Sequence, residues 1–439
     1  MIKIDEINEK YSKGCECGRK HRIDIKEIVI EKKALDRVPE LLNSLTQRKK
    51  IYLIADTNTY RAAGEHLYNI LEKEGYLVKP VILEGKQVKP DTDYLYKILD
   101  QVANDGYLVA CGSGSINDMV KYLAFKFNHP YMIVGTAPSM DGYSSVVSVL
   151  TVQGYKTTYE VKPPEAVVLD LDILSSAPRE MIQAGVGDLL GKVTSLLDWK
   201  MSHLLFGEYF CEEIFSLMEA QLAELFPLAG KLKNRDQQSI KALTEGLVYS
   251  GLAMQMAGNS RPASGSEHHV SHFLEMTGLL HQKRVPLHGN QVGLGVYYTS
   301  RLYLGLRELE FKDLEIGKSK EDRIQRIKRA YGDYSKPILE NLDNRLKIEK
   351  LSKELLIEKV ESIKKSIAEF SHYLEDIGQI VEDVGLLERE DIRELYSNGW
   401  LEKALRYSFE YRPRFTVATL LYLTGLLDDW VDDLLFEYV

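Results

Sequence analysis

Tyr107-Leu108-Val109-Ala110-Cys111-Gly112-Ser113-Gly114-Ser115-Ile116-Asn117-Asp118 is the stretch that decides the fold class. Its first five residues are apolar and read as a buried strand. Two glycines follow, and an apolar helix pattern begins directly behind them. A strand, a tight glycine turn and a helix make one step of an alternating α/β chain. Glycine lets the backbone approach a phosphate closely, and a helix N-terminus presents unbonded N–H groups to an anion. Asn117 stands where the dinucleotide-binding fingerprint has its third glycine, so the turn alone leaves both phosphate binding and an ordinary strand-to-helix turn open.

Working outward, the same alternation fills the first 175 residues. Glu27–Glu31, Ile51–Asp56, Val78–Glu84, Tyr131–Gly135 and Ala166–Asp170 also read as strands, with Val, Ile, Leu or Tyr set between polar or turn residues. Between them lie amphipathic stretches such as Asp91–Asn104, where Leu95, Ile98, Leu99 and Val102 share one helix face. This predicts a mostly parallel sheet with helices on its faces and ligands at the carboxyl ends of its strands. After Ser175-Ser176-Ala177-Pro178 the β-type runs stop. Pro178 can begin a helix with Ser175 or Ser176 as its cap, and Ile348–Phe370 reads as one long charged helix. The expected organisation is an α/β domain over 1–175 and an all-helical domain over 176–439, with the active site in the cleft between them.

Composition narrows the function classes. The 439 residues are 44% hydrophobic and 28% charged, which fits a globular chain and not a disordered one. Lys and Arg number 56 against 65 Asp and Glu, a formal charge of −9 that disfavours nucleic acid as the partner. No stretch approaches the ~20 apolar residues of a membrane span. Asp5 and Glu6 stand where a signal peptide has its apolar core, and four cysteines in so long a chain do not form a disulfide scaffold. A cytoplasmic location is expected from these features.

Three further stretches carry chemistry. Thr136-Ala137-Pro138-Ser139-Met140-Asp141-Gly142-Tyr143-Ser144-Ser145 is a polar loop behind a strand, readable as a ligand loop or as plain surface. Asp188 and Lys192 stand at i, i+4, as a functional pair or as a surface ion pair. His268, His269, His272, His281 and His288, half of the chain's ten histidines, fall within 21 residues. Imidazoles at i, i+4 with one carboxylate suit Zn or a similar divalent ion and leave a position for substrate. Cys15-Glu16-Cys17-Gly18-Arg19-Lys20-His21 offers another small set of metal donors, more simply read as unliganded surface.

Together these pieces resemble the sn-glycerol-1-phosphate dehydrogenase family, within the dehydroquinate synthase-like and iron-alcohol-dehydrogenase-like superfamily. The resemblance runs from the Cys15-x-Cys17-Gly18 segment to Tyr411-Arg412-Pro413-Arg414-Phe415-Thr416. Its specific parts are Thr136-x-x-Ser139-x-Asp141-Gly142, Pro163-Pro164-x-Ala166 with Asp170-x-Asp172, Ala184-Gly185-Val186-Gly187-Asp188, Asp198-Trp199 and Ser264-Gly265-Ser266-Glu267-His268. The long N-terminal lead and C-terminal tail are similar to bacterial members.

The resemblance implies that Asp188, His268 and His288 hold one divalent metal ion, Zn or Ni. Asp141, Asp188 and His272 would face the substrate, with His272 as the catalytic side chain. Gly114, Ser115, Ile116, Asn117 and Asp118 would hold the dinucleotide pyrophosphate, although Ser113 replaces a frequent glycine. Thr136, Ala137, Pro138, Ser139 and Ser145 fall at positions that touch the cofactor. Asp56 is similar to the acid that holds the adenosine ribose and favours NAD(H) over NADP(H). Implied too are a homodimer and reversible reduction of a small phosphorylated triose, dihydroxyacetone phosphate, with Lys192 or Arg261 for its phosphate. The rival readings are a 3-dehydroquinate synthase-like lyase, a glycerol dehydrogenase, and a catalytically silent nucleotide-binding protein. The first normally has Glu where Asp188 stands, the Asp198-Trp199 and Ser264–His268 motifs speak against the second, and an open metal position has no use in the third.

Overall fold

The computed structural model describes residues 2, 4–11, 13–85, 87–152, 155–317, 320–340, 342 and 351–436. The chain divides into two compact units. One comprises Met1–Leu189 with Ser216–Asn259, the other Leu190–Phe215 with Ser260–Val439.

The first unit is built on strands β1 (Glu27–Glu31), β2 (Lys50–Asp56), β3 (Leu77–Leu83), β4 (Tyr107–Gly112), β5 (Tyr131–Gly135), β6 (Val147–Val152), β7 (Tyr155–Glu160) and β8 (Ala166–Asp170). Six of them form one all-parallel sheet in the order β1-β8-β5-β4-β2-β3. Every residue of β4, β5 and β8 is buried, as a sheet covered on both faces requires of its central strands. Its helices are α1 (Ile4–Tyr11), α2 (Val38–Leu45), α3 (Thr57–Thr59), α4 (Glu65–Lys73), α5 (Thr92–Leu99), α6 (Gly114–Phe127) and α7 (Leu171–Ser175). Leu42 of α2 and Leu67 and Leu71 of α4 share a core with Val29, Leu53, Val109, Val134 and Val168 of the sheet.

All six strands read from the sequence are present, each within a residue of its expected bounds. The antiparallel hairpin β6–β7 was not foreseen. Half of its residues are polar, and the two buried positions of β6 are Ser148 and Leu150, so its alternation lacks the continuous apolar face that marks a strand. Helix α5 is shorter than the expected 91–104: Asp91 caps it, accepting from Tyr94 N–H at 3.0 Å, and the chain turns after Leu99.

Helices α8 (Arg179–Phe206) and α9 (Glu212–Leu225) each run through a boundary of the two units. Pro178 itself precedes α8, its carbonyl accepting from Ile182 N–H, while the hydroxyls of Ser175 and Ser176 bond back to Leu171 and Asp172. Neither serine is the cap. Helix α10 (Gln237–Ala257) belongs to the first unit although the sequence reads as helical throughout from 178. The expected division at 175/176 follows the change from strands to helices, whereas the units divide inside α8, because a long helix does not stop where its packing partners change.

The second unit contains α11 (Ser266–Leu280), α12 (His288–Glu308) and further helices, with no strand among its described residues. One of these, Lys353–Glu369, is capped by Ser352 and fills most of the expected 348–370 helix; residues 348–350 lie outside the described ones. Among the described residues no helix is long and apolar enough to cross a membrane.

Candidate active site

The sheet sets up one half of the chemistry. The chain leaves β2 outward to β3 and returns on the other side with β4, so the strand order reverses between β2 and β4. In open α/β sheets the ligand crevice lies at such a switch point, outside the carboxyl ends of the strands. Gly112 ends β4 and Asp56 ends β2 there. A Cβ on Gly112 would sit 2.7 Å from Ile116, so only glycine lets the turn close on its own helix. Ser113 precedes α6 without a side-chain cap bond, and the first intrahelical bond runs from Asn117 N–H to the Ser113 carbonyl. The N–H groups of Gly114, Ser115 and Ile116 thus lack helical partners and suit a pyrophosphate. Asn117 is buried, with its amide donating to the Gly142 carbonyl at 3.3 Å, so it braces the neighbouring loop. Asp118 belongs to the same turn, and its carbonyl accepts from Ser148 at 2.8 Å. Asp56 accepts from Asn58 and Thr59 N–H through Oδ1, at 2.8 and 2.9 Å. It is both a helix cap and a half-exposed carboxylate at the crevice.

The loop behind β5 is held from three sides. Thr136 N–H bonds the Gly112 carbonyl at 3.1 Å, joining the two turns. Gly185 of α8 has the Pro138 carbonyl against it, where a Cβ would meet that oxygen at 1.7 Å. Asp141 N–H donates to Asp188 Oδ2 at 3.0 Å, and Ser250 of α10 donates to Asp141 Oδ2 at 2.7 Å. Thr136, Ala137 and Ser139 are buried in this arrangement. Ser145 is not placed as expected for a cofactor contact. It is fully buried, and its hydroxyl is taken up by Lys121, Gly142 and Val147. Lys121, which sequence reading missed inside an apolar helix, also donates to the Gly142, Ser145 and Val147 carbonyls, and burial pushes its ammonium down to about 8.

The histidines supply the other half. Rings of His268, His272 and His288 lie 5.2–6.1 Å apart, centroid to centroid. In the first unit, Asp188 of α8 is a fully buried carboxylate. His268 Nδ1 lies 2.7 Å from Glu267, and His288 Nδ1 lies 3.2 Å from Glu275 and 3.1 Å from Ser271 Oγ. A carboxylate can only accept, so each Nδ1 carries the hydrogen and each Nε2 keeps its lone pair. That is the arrangement by which carboxylates orient metal-binding imidazoles. Burial first, then the Lys192 charge, holds His268 below its ordinary range, hence neutral. Burial works to raise the Glu267 carboxyl, but bonds from His268, Thr194 and Gly265 outweigh it and keep it ionised. Glu275 escaped sequence reading, since an acid one turn from a histidine on an ordinary helix carries no signal. His272, Glu275 and His288 form a second donor group sharing His288. The donor set of two imidazoles and a buried carboxylate fits a divalent ion with a position left for substrate.

Several motif residues turn out to be scaffold. Asp198 accepts from Ser266 N–H, Val417 N–H and Tyr303 Oη at 2.6–2.7 Å, fixing the start of α11. Trp199 is fully buried, with its indole N–H on the Tyr209 carbonyl. Asp188 and Lys192 are both fully buried, so the surface ion-pair reading fails. Lys192 donates to the Ala263 carbonyl, and Arg261 grips Glu208 with two bonds and the Phe415 carbonyl with two more. Neither is disposed to take a phosphate. His269 is buried and held neutral by burial and then by Arg414, Arg412 and Arg261, while His281 stacks on Trp400 outside the cluster.

Comparison with known proteins agrees with this geometry. Residues 29–178 match the family model of iron-containing alcohol dehydrogenases. A glycerol-1-phosphate dehydrogenase (NAD(P)+) of Halalkalibacterium halodurans is 36% identical over 300 residues, 67% of this chain and 75% of that protein. The enzyme of the same name from Bacillus licheniformis is 38% identical over 299 residues, 67% of this chain and 74% of its own. The iron-containing alcohol dehydrogenase of Thermococcus thioreducens shares the fold, with a TM-score of 0.59 at 13% identity over 94% of this chain and 98% of that one. An α/β sheet with its glycine turn at the switch point, a helical unit carrying paired carboxylate–histidine donors, and these relatives place the chain in the NAD(P)-dependent glycerol-1-phosphate dehydrogenase family, within the iron-type alcohol dehydrogenase fold.

Proposed function

We propose that the protein reduces dihydroxyacetone phosphate to sn-glycerol 1-phosphate with NAD(P)H, and runs the reverse reaction, using Zn or Ni held by Asp188, His268 and His288. The observation that carries the reading is the pair of imidazoles, His268 and His288, whose Nδ1 atoms are both tied to carboxylates. When bound, the ion supplies Lewis-acid polarisation of the substrate carbonyl. When bound, the dinucleotide supplies the hydride.

The chain's own groups do the rest. Gly114, Ser115, Ile116, Asn117 and Asp118 form the pyrophosphate turn, and Thr136, Ala137, Pro138 and Ser139 line the nicotinamide side. Asp56 takes the ribose hydroxyls and disfavours a 2′-phosphate by charge, so NADH is preferred. Asp141, oriented by Ser250, binds a triose hydroxyl. His272 passes a proton to the C2 oxygen as reduction proceeds, which its half-buried position favours. For the substrate phosphate Arg412 is a better candidate than Lys192 or Arg261. It is half-buried, burial lowers its affinity for the proton, and it adjoins Tyr411, whose ring is 5.6 Å from that of His272. A homodimer is part of the proposal, by analogy with the family.

The test is NADH oxidation with dihydroxyacetone phosphate, dihydroxyacetone and glyceraldehyde 3-phosphate in parallel. The phosphorylated ketone should be reduced with much the highest kcat/KM, because binding energy at the remote phosphate holds the reactive pose. Equal rates for dihydroxyacetone would move the protein to another dehydrogenase of the same fold.

A further inference from the structure

Lys121 carries a charge into the interior of the first unit without a carboxylate to meet it. It is fully buried on α6, about two turns behind Gly114. Its ammonium donates to the carbonyls of Gly142, Ser145 and Val147 at 2.6, 3.2 and 3.0 Å, and to Ser145 Oγ at 3.1 Å. A surround of acceptors suits an ammonium, which has three donors and no lone pair. Burying a cation is costly, and an apolar side chain of similar length would fill the same space without that cost.

What the cation holds is the loop that carries Asp141. Gly142 follows Asp141 and opens a 3₁₀ turn, Gly142–Ser144, which ends at Ser145. The Gly142 carbonyl also accepts from Asn117 at 3.3 Å, so α6 grips it through two side chains. On the other side the loop rests on α10. Ser144 Oγ donates to the Val248 carbonyl at 2.7 Å, and Gln255 donates to the Ser144 carbonyl. A Cβ on Gly251 would stand 2.9 Å from the Asp141 carbonyl. Asp141 itself is met by Asp188, which accepts from its N–H, and by Ser250, which donates to its carboxylate. All of these groups belong to the first unit. Without the Lys121 ammonium, three carbonyls lose a donor and the peptide that follows Asp141 can turn away.

We infer that Lys121 is a positioning residue for the reaction: by clamping Gly142–Val147 onto α6 it fixes the Asp141 carboxylate for the substrate. This rests on the reading of Asp141 as the group that binds a triose hydroxyl. Lys121 bonds the loop and not the ligand, so its effect on turnover passes through Asp141.

The test is a double-variant cycle on the full-length protein, Lys121→Met with Asp141→Ala. It is read as kcat/KM for the ketone and as the Kd of NADH from fluorescence titration. Wild type is assayed first with dihydroxyacetone phosphate and dihydroxyacetone, and the one it reduces better serves the cycle. A wrong substrate therefore shows in the wild type, and a wrong role for Lys121 shows only in the cycle. Lys121→Met alone should lower kcat/KM roughly 30-fold, through both kcat and KM, and move the NADH Kd less than about twofold. In the Asp141→Ala background the same substitution should change kcat/KM less than about threefold, because the carboxylate it positions is gone. Equal losses in the two backgrounds, or NADH binding weakened as much as ketone reduction, would mark a merely structural lysine and overturn the inference. If Lys121→Met does not fold, Ser145→Ala goes through the same cycle, since it removes the side-chain acceptor and leaves the carbonyls. It should cost about threefold in kcat/KM beside Asp141 and nothing beside Asp141→Ala. No loss, or the same loss in both backgrounds, overturns the inference.

Discussion

The carboxyl edge of the sheet and the histidine-bearing helices offer a ligand groups of opposite kinds. At the sheet edge the groups available to a ligand are largely backbone: the open N–H groups at the start of α6, beside glycines that keep side chains out of the way. On α11 and α12 they are side chains, each steadied by another side chain, as Glu267 steadies His268 and Glu275 steadies His288. Backbone recognition tolerates substitution because every residue has an N–H. Side-chain recognition does not, because each donor is one atom on one residue. Substitutions in the helices should therefore abolish activity, while those at the sheet edge should retune it.

The largest effect is expected from His268→Ala or His288→Ala. Each should empty the active-site metal and lower kcat/KM by at least ~10²–10³-fold, the several kcal/mol a Lewis acid contributes. Full metal content with normal turnover in either variant would remove the ligand assignment. Glu275→Gln should be milder. The His288 ring keeps a hydrogen-bond acceptor but loses the negative charge behind it, so metal affinity should fall ~10–100-fold, read as faster loss to a chelator. Unchanged retention would show that Ser271 alone orients the ring. At the sheet edge, Asp56→Ser should leave the fold intact, since serine also caps helices. It should shift the NADPH-to-NADH ratio of kcat/KM toward NADPH by roughly tenfold, with little change in metal content. A ratio that does not move would place the ribose elsewhere.

The same contrast explains what was legible in the sequence. Strands β1 to β5 and β8 announce themselves because a strand buried on both faces must be a short apolar run. The glycine turn at 112–114 announces itself because a close backbone approach admits few residue types. His268, His272 and His288 stood out as a cluster of a rare residue. Glu275, Lys121 and Ser250 did not, since their roles arise only from what the fold sets beside them. Arg261 and Asp198 show the converse. Asp198 sits in a family motif and Arg261 reads as a phosphate group, yet Arg261 holds Glu208 and Asp198 anchors the start of α11. A buried charge must be satisfied wherever it lies, so a motif records structural pairing as readily as chemistry.

With the ketone held by the metal ligands and the nicotinamide on the Thr136–Ser139 loop, as proposed, hydride should reach only one face of the carbonyl of dihydroxyacetone phosphate. Chiral analysis of the glycerol phosphate formed from dihydroxyacetone phosphate and NADH tests it most directly. The expected product is sn-glycerol 1-phosphate alone. Formation of sn-glycerol 3-phosphate, a racemic mixture, or no glycerol phosphate from metal-loaded enzyme would contradict it.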